Sequence, residues 1–242
     1  MRIAIISDIH ANMEAFTAVL ADMADCRTDE ALCLGDSIGY GPEPVEVINL
    51  LLEKGIPSVL GNHEMAVRGP EHFAFFNPDA RRSIQKTIAL LPEHIRTVVI
   101  GLPVFLSRQG CRFVHGFPPD SCRTYLFYVE TGKLPAAFSE FPESICFVGH
   151  THRLEMVEYD GTRVFRKKLG RGFVPLDKHR RYILNIGSVG QPRDGDQTAK
   201  YAILDTLAHI LEIRFVPYDI ATVVDKLIKG GWPEIHAARL MA

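Results

Sequence analysis

The chain has 242 residues, 27 lysines and arginines against 29 aspartates and glutamates, and a formal net charge of −2. That length suits one large domain with a sizeable core, and hydrophobic residues at 47% are ordinary globular usage. The balance argues against stable binding to nucleic acid or a membrane surface, and no apolar run reaches the roughly 20 residues of a spanning helix.

Ile3–Ser7 reads as a buried strand, with Asp8 inside what would be the core of a signal peptide, so no such peptide is expected. Phe16, Val19, Leu20 and Met23 form one stripe, predicting a helix over Met13–Met23. Ala31–Leu34 is a second strand. Pro44–Lys54 is a helix, with Pro44 in its first turn, Gly55 at its end and Pro57 beyond. Ser58–Leu60 is a third strand. The β-α-β-α-β order predicts an α/β core with parallel strands.

Residues 65–111 interrupt that rhythm. Asn77-Pro78 opens a helix through Leu91, and Val104–Ser107 and Cys111–His115 follow as strands around Gln109-Gly110. Residues 116–144 read as irregular or partly helical. Beyond the apolar run Ile145–Val148, the segments Glu155–Tyr159 and Thr162–Lys167 flank Asp160-Gly161 as a hairpin. Tyr182–Ile186, Tyr201–Leu204 and Ile210–Tyr218 are further strands, and Asp219 caps an amphipathic helix ending at Gly230. With no linker or repeat, residues 1–242 read as a single domain, with 65–111 as an insert placed to wall a substrate pocket. The strand-rich second half allows a second sheet packed on the first. Five cysteines without a CxxC pattern speak against disulfides or a cysteine-type zinc site and for a cytoplasmic setting.

Five apolar runs stop at polar residues: "IAIISDIH", "ALCLGD", "PSVLGNHE", "RFVHG" and "ICFVGHTH". In α/β sheets ligands bind at the carboxyl ends of strands. Those ends carry Asp8, His10, Asp36, Asn62, His63, His115, His150 and His152, all of metal-ligand or acid–base type. Mixed oxygen and imidazole donors suit Mn, Fe, Zn, Ni or Co better than Ca or Mg. The number exceeds what one four-coordinate ion needs, and two divalent ions sharing a carboxylate account for it. There is no P-loop, no GxGxxG after the first strand and no GxSxG elbow.

Taken together, "DIH", "GDSIG", "GNHE", "VHG" and "GHTH" resemble the ordered motifs DxH, GDxx[DG], GNH[ED], lone His and GHxH of the calcineurin-like metallophosphoesterases. "NIGSVGQPRDGD" resembles the NPGS-type segment of their smaller bacterial members and extends the likeness to about residue 205. The resemblance implies a four-layer α/β/β/α sandwich of two packed mixed sheets around a dinuclear centre. It implies Asp8, His10 and His152 on one metal, Asn62, His115 and His150 on the other, Asp36 shared, and His63 off the metals facing the leaving group. Glu64 would buttress His63 or its loop. The implied reaction is hydrolysis of small phosphodiesters or phosphomonoesters, with a metal-bridging hydroxide attacking phosphorus and His63 as general acid. A dinucleoside polyphosphatase or nucleotide phosphatase is an alternative, as are a phosphoprotein phosphatase and a non-enzymatic metal-binding scaffold. Gly39 breaks the GDxVDRG pattern of the phosphoprotein phosphatases, which weighs against a protein substrate. Asn12, Tyr40, Arg68 and Arg193 lie in or beside the motif loops as candidate substrate contacts. The oligomeric state is left open.

Overall fold

The protein is described by a computed structural model covering residues 1–242. Eleven strands form two sheets. In the first, β2 (Glu30–Cys33) lies beside β1 (Arg2–Ile6), followed by β10 (Ala199–Asp205), β11 (Ile210–Val216) and β8 (Gly172–Pro175). In the second, the order is β3 (Phe105–Arg108), β4 (Cys111–Val114), β5 (Ile145–Val148), β9 (Arg181–Ile186), β6 (Leu154–Tyr159) and β7 (Val164–Lys168). Both sheets are mixed: β1–β2, β4–β5 and β5–β9 run parallel and the other pairs antiparallel.

Side-chain alternation creates the layers. Ile3 and Ile5 of β1 face the second sheet, meeting Phe113, Phe147, Leu184 and Ile186 in a core between the sheets. Ala4 and Ile6 face the other way, onto α1 (Met13–Asp25) and α2 (Pro44–Glu53) through Phe16, Val19, Val47 and Leu51. On the far face of the second sheet, Cys146, Val148 and Ile183 pack against Leu134 and Phe138 of α6 (Leu134–Ser139). The expected four-layer order is therefore present. The first helical layer also holds α3 (Asn62–Val67), α4 (Pro78–Leu90) and α5 (Glu93–Ile100). A closing pair, α7 (Ile220–Lys229) and α8 (Glu234–Met241), has its own small core around Val223, Leu227 and Trp232.

Two caps form as the sequence predicts, Asn77 and Asp219 each accepting a backbone N–H three residues on, and Asn12 caps α1 in the same way. The third strand does not form: Ser58–Leu60 makes one isolated parallel bridge, Ser58 to Cys33, and Leu60 N–H turns to the carbonyl of Pro103. Within 65–111, residues up to Ile100 are largely helical, whereas β3 and Cys111 pair into the edge of the second sheet.

Candidate metal centre

Five chain segments converge at one edge of the two sheets, four of them leaving strands. Asp8 and His10 follow β1, Asp36 follows β2, and Asn62 and His63 open α3. His115 follows β4, and His150 and His152 follow β5. All but Asn62 are buried. The turns that deliver them are strained: Asp8, His10, Asp36, His150 and His152 have φ of 54°, 49°, 51°, 66° and 57°. Left-handed conformations cost non-glycine residues about 1–3 kcal/mol each and persist where surrounding structure enforces them. Gly149 is needed here for another reason, since a Cβ at that position would run into the Ser7 hydroxyl and the Asp8 carboxylate.

The side chains converge in two groups. In the first, His152 Nε2 is 3.2 Å from Asp8 Oδ1 and 3.1 Å from His10 Nε2. In the second, His115 Nε2 is 3.2 Å from Asp36 Oδ2, from Asn62 Oδ1 and from His150 Nδ1. Asp36 Oδ2 links the groups, standing 3.8 Å from His10 Nε2. His63 Nε2 also lies 3.9 Å from Asp36 Oδ2, near both groups.

The opposite ring nitrogens fix the tautomers. His10, His115 and His152 each direct Nδ1 at a backbone carbonyl, of Ile38 (3.1 Å), Leu34 (2.8 Å) and Gln191 (2.5 Å). His150 instead directs Nε2 at the carbonyl of Arg123, 3.1 Å away. A carbonyl only accepts, so each of these nitrogens carries the proton and the other turns a lone pair toward the cluster. Two bare nitrogens at 3.1 Å, beside an Asp8 Oδ1 that has no hydrogen-bond donor, require a positive charge among them. Divalent metal ions fit this donor set, and carbonyl-anchored imidazoles are the usual outer support of such sites.

The electrostatics agree. Burial alone would raise the Asp36 carboxyl, but His115, His63 and His10 outweigh it and hold it far below the usual range. For Asp8, burial is likewise outweighed by His152 and His10. Burial pulls His115 down, yet Asp36 reverses that and pushes it up to about 9. Burial holds His150 near 3, with His115 adding to the effect, and His152 near 4, with Arg193 adding. The carboxylates are thus ionised and His150 and His152 neutral, the state in which both types bind metal, whereas His115 would have to release its extra proton on binding.

His63 is enclosed by rings. Those of His10, Tyr40 and Phe76 lie 4.9, 4.5 and 4.9 Å from it. Burial keeps His63 well below the usual histidine value while Asp36 pulls upward, and its Nδ1 has no hydrogen-bond partner. A Cβ at Gly39, whose φ is +82°, would collide with that nitrogen. Glu64 serves the loop: its carboxylate accepts from the backbone N–H groups of Asp36, Ser37, Ile38 and Gly61 at 2.7–3.4 Å.

A family model described as the calcineurin-like phosphoesterase superfamily domain matches residues 1–209. The chain belongs to that superfamily. It is 35% identical over 245 residues to the uncharacterized protein MJ0912 of Methanocaldococcus jannaschii, covering 98% of this chain and 96% of that protein. It shares 35% identity and a TM-score of 0.86 with the crystal structure of a metallophosphoesterase from Sphaerobacter thermophilus, covering 100% and 99% of the two chains. PH1004 from Pyrococcus horikoshii OT3 has the same fold at 17% identity, with a TM-score of 0.80 and coverage of 99% and 97%. This calcineurin-like protein is a metal-dependent phosphoric ester hydrolase.

The four candidate substrate contacts separate within the structure. Asn12 spends its amide on capping α1 and on the Gly190 carbonyl. Arg68 is turned to the carbonyl of Ile100 at the end of α5. Tyr40 lies in the ring stack, 4.5 Å from both His10 and His63. Arg193 donates its backbone N–H to the carbonyl of His152 and holds its guanidinium 5.7 Å over the Tyr40 ring. Three further neighbours lie outside the sequence motifs. Tyr125 stacks on His150 at 3.8 Å, Arg123 donates to His72 at 2.6 Å, and His236 of α8 packs 4.7 Å from Tyr40. Only their chemistry could have suggested them.

Proposed function

We propose that this calcineurin-like protein hydrolyses small phosphodiesters or phosphomonoesters with two divalent ions. Asp8, His10 and His152 would hold one, Asn62, His115 and His150 the other, and Asp36 would be shared between them. The observation that carries this reading is Asp36 Oδ2, which faces His115 in one group and His10 in the other. Imidazole and carboxylate donors favour Mn, Fe, Zn, Co or Ni. Such ions, when bound, supply positive charge for the phosphoryl oxygens and acidify water.

The chain's own residues do the rest. Carbonyls of Leu34, Ile38, Arg123 and Gln191 hold the imidazoles in one tautomer and one orientation. Glu64 fixes the loop carrying Asp36. His63, outside the ligand set, is assigned to the leaving-group oxygen and would hold a proton for it at Nε2, a contribution typically worth about 10²–10⁴ in rate. The segments 65–100 and 116–144 meet where Arg123 joins His72 and covers the Phe75 ring, and Phe76 of the former packs on His63. These walls favour small esters over folded phosphoproteins and duplex nucleic acid. Five free cysteines suit a cytoplasmic setting.

The test is elemental analysis after manganese saturation together with turnover of an aryl phosphodiester and an aryl phosphomonoester. Two ions per chain and metal-dependent turnover are expected. One ion or none overturns the dinuclear reading, and loaded protein inactive on both ester classes overturns the substrate reading.

A further inference from the structure

A cleft of about 470 Å³ opens between β6, β7 and the loop at Arg193 and Asp194, and two of its lining residues, Arg153 and Arg193, adjoin His152. Its lining carries five cations and two carboxylates in a protein whose net charge is −2. Both carboxylates are already matched: Glu155 by Arg166 at 3.4 Å and Asp194 by Lys200 at 2.9 Å. Lys167 is paired outside the cleft, with Glu158. Arg153, Lys168 and Arg193 remain with no acidic partner.

The cleft is joined to the site. Arg153 directly follows His152, and Arg193 is hydrogen-bonded through its backbone to His152. Arg193 Nε is buried without an acceptor. An aromatic surface adjoins the cations: the Arg153 guanidinium lies 5.7 Å over the Phe127 ring, which is 39% exposed and packs against Tyr128, 76% exposed. Tyr125, stacked on Phe127 at 5.1 Å, continues this surface to His150. Unpaired cations bind phosphate, and exposed aromatic faces beside them bind flat bases by stacking.

We infer that the cleft formed by Arg153, Lys168 and Arg193 is a subsite for a second phosphate of the substrate, whose nucleobase stacks on the Phe127–Tyr128 surface. The substrate class is then a nucleotide with more than one phosphate group. This rests on the phosphoesterase reading, which says what happens to the ester at the metals. The cleft says what is attached to it.

Calorimetric titration of the manganese-loaded protein tests the inference without turnover. The probes are orthophosphate, 5′-AMP and adenosine 3′,5′-bisphosphate. The bisphosphate should bind about tenfold or more tightly than AMP, and AMP more tightly than orthophosphate. In an Arg153→Ala, Lys168→Ala variant of unchanged metal content, the bisphosphate should lose its advantage over AMP. Tyr128→Ala should narrow the gap between AMP and orthophosphate. A bisphosphate no tighter than AMP, or an advantage that survives the double substitution, overturns the subsite. A twelve-nucleotide single strand binding far more tightly than the bisphosphate assigns the cleft to nucleic acid and overturns the small-substrate class. Aryl ester turnover, measured separately, reports on the phosphoesterase reading alone.

Discussion

His10 Nε2 and His152 Nε2 stand 3.1 Å apart, each ring backed by a carbonyl that takes its other proton. Without a cation this contact opposes folding; with one it favours folding. Divalent metal should therefore raise the melting temperature of chelator-treated protein. Ligand at about a hundredfold excess over its Kd adds about 2.7 kcal/mol, or about 5–10 °C for a chain of this size. Scanning calorimetry with and without Mn checks this, and a melting temperature indifferent to every divalent ion would contradict the metal assignment.

Asp36→Asn should weaken both ions, because the same Oδ2 faces both histidine groups. His115→Ala should mainly empty one site. Metal titration of the folded variants separates the cases. Two tight ions and near-normal turnover in Asp36→Asn would rule out the shared carboxylate.

Gly39→Ala tests His63 without removing it. The new Cβ would push on His63 Nδ1 and strain the left-handed backbone at Gly39. Metal content should hold while turnover falls about 10²-fold, with less loss on substrates whose leaving groups need no proton. His63→Ala should show the same leaving-group pattern. Loss of metal in His63→Ala would make His63 a ligand.

Glu64→Gln replaces an acceptor of four backbone N–H groups with a side chain having one acceptor oxygen. The orphaned donors should cost about 2–4 kcal/mol, measured by urea unfolding. A change within about 0.5 kcal/mol would show that the loop finds other partners.

His236 gives a pH prediction. Burial, with Arg239 and His10 adding and Asp79 opposing, lowers it from 6.5 to about 4. The unfolded chain therefore takes up this proton first as pH falls. His236 contributes stability that is present above pH 6.5 and lost as pH falls toward 4, up to about 3 kcal/mol. His150 and His152 act in the same direction. In metal-free protein, His236→Phe should flatten the fall in denaturation midpoint between those pH values. Parallel curves for the two proteins would contradict it.

The centre was legible because its residues end apolar runs, and burial leaves few reasons to place imidazoles there. The walls were not. Arg68 looked promising from its nearness to His63 in sequence, but α3 rotates it toward Ile100. Ser58–Leu60 has a strand's composition, but its pairing with β2 stops at Cys33, which takes the Val59 N–H, and Leu60 N–H turns to Pro103. β8 is a four-residue edge strand of alternating exposure, too short for periodicity to register. Tyr125 and His236 belong to segments that acquire meaning only when the chain folds back on the metal edge.

The two histidine groups also bear on mechanics. Asp8, His10 and Asp36 hang from the first sheet, and His115, His150 and His152 from the second. His10 and His152 meet across 142 residues of sequence in a chain whose five cysteines are all free. A cation in either group would work as a removable staple across the seam between the sheets. Stripping it should let that seam gape while the apolar layer beneath stays shut. Amide hydrogens beside Asp8 and Gly149 should then exchange sooner than those of Ile5 and Phe147, and reloading the metal should bring the two sets back together.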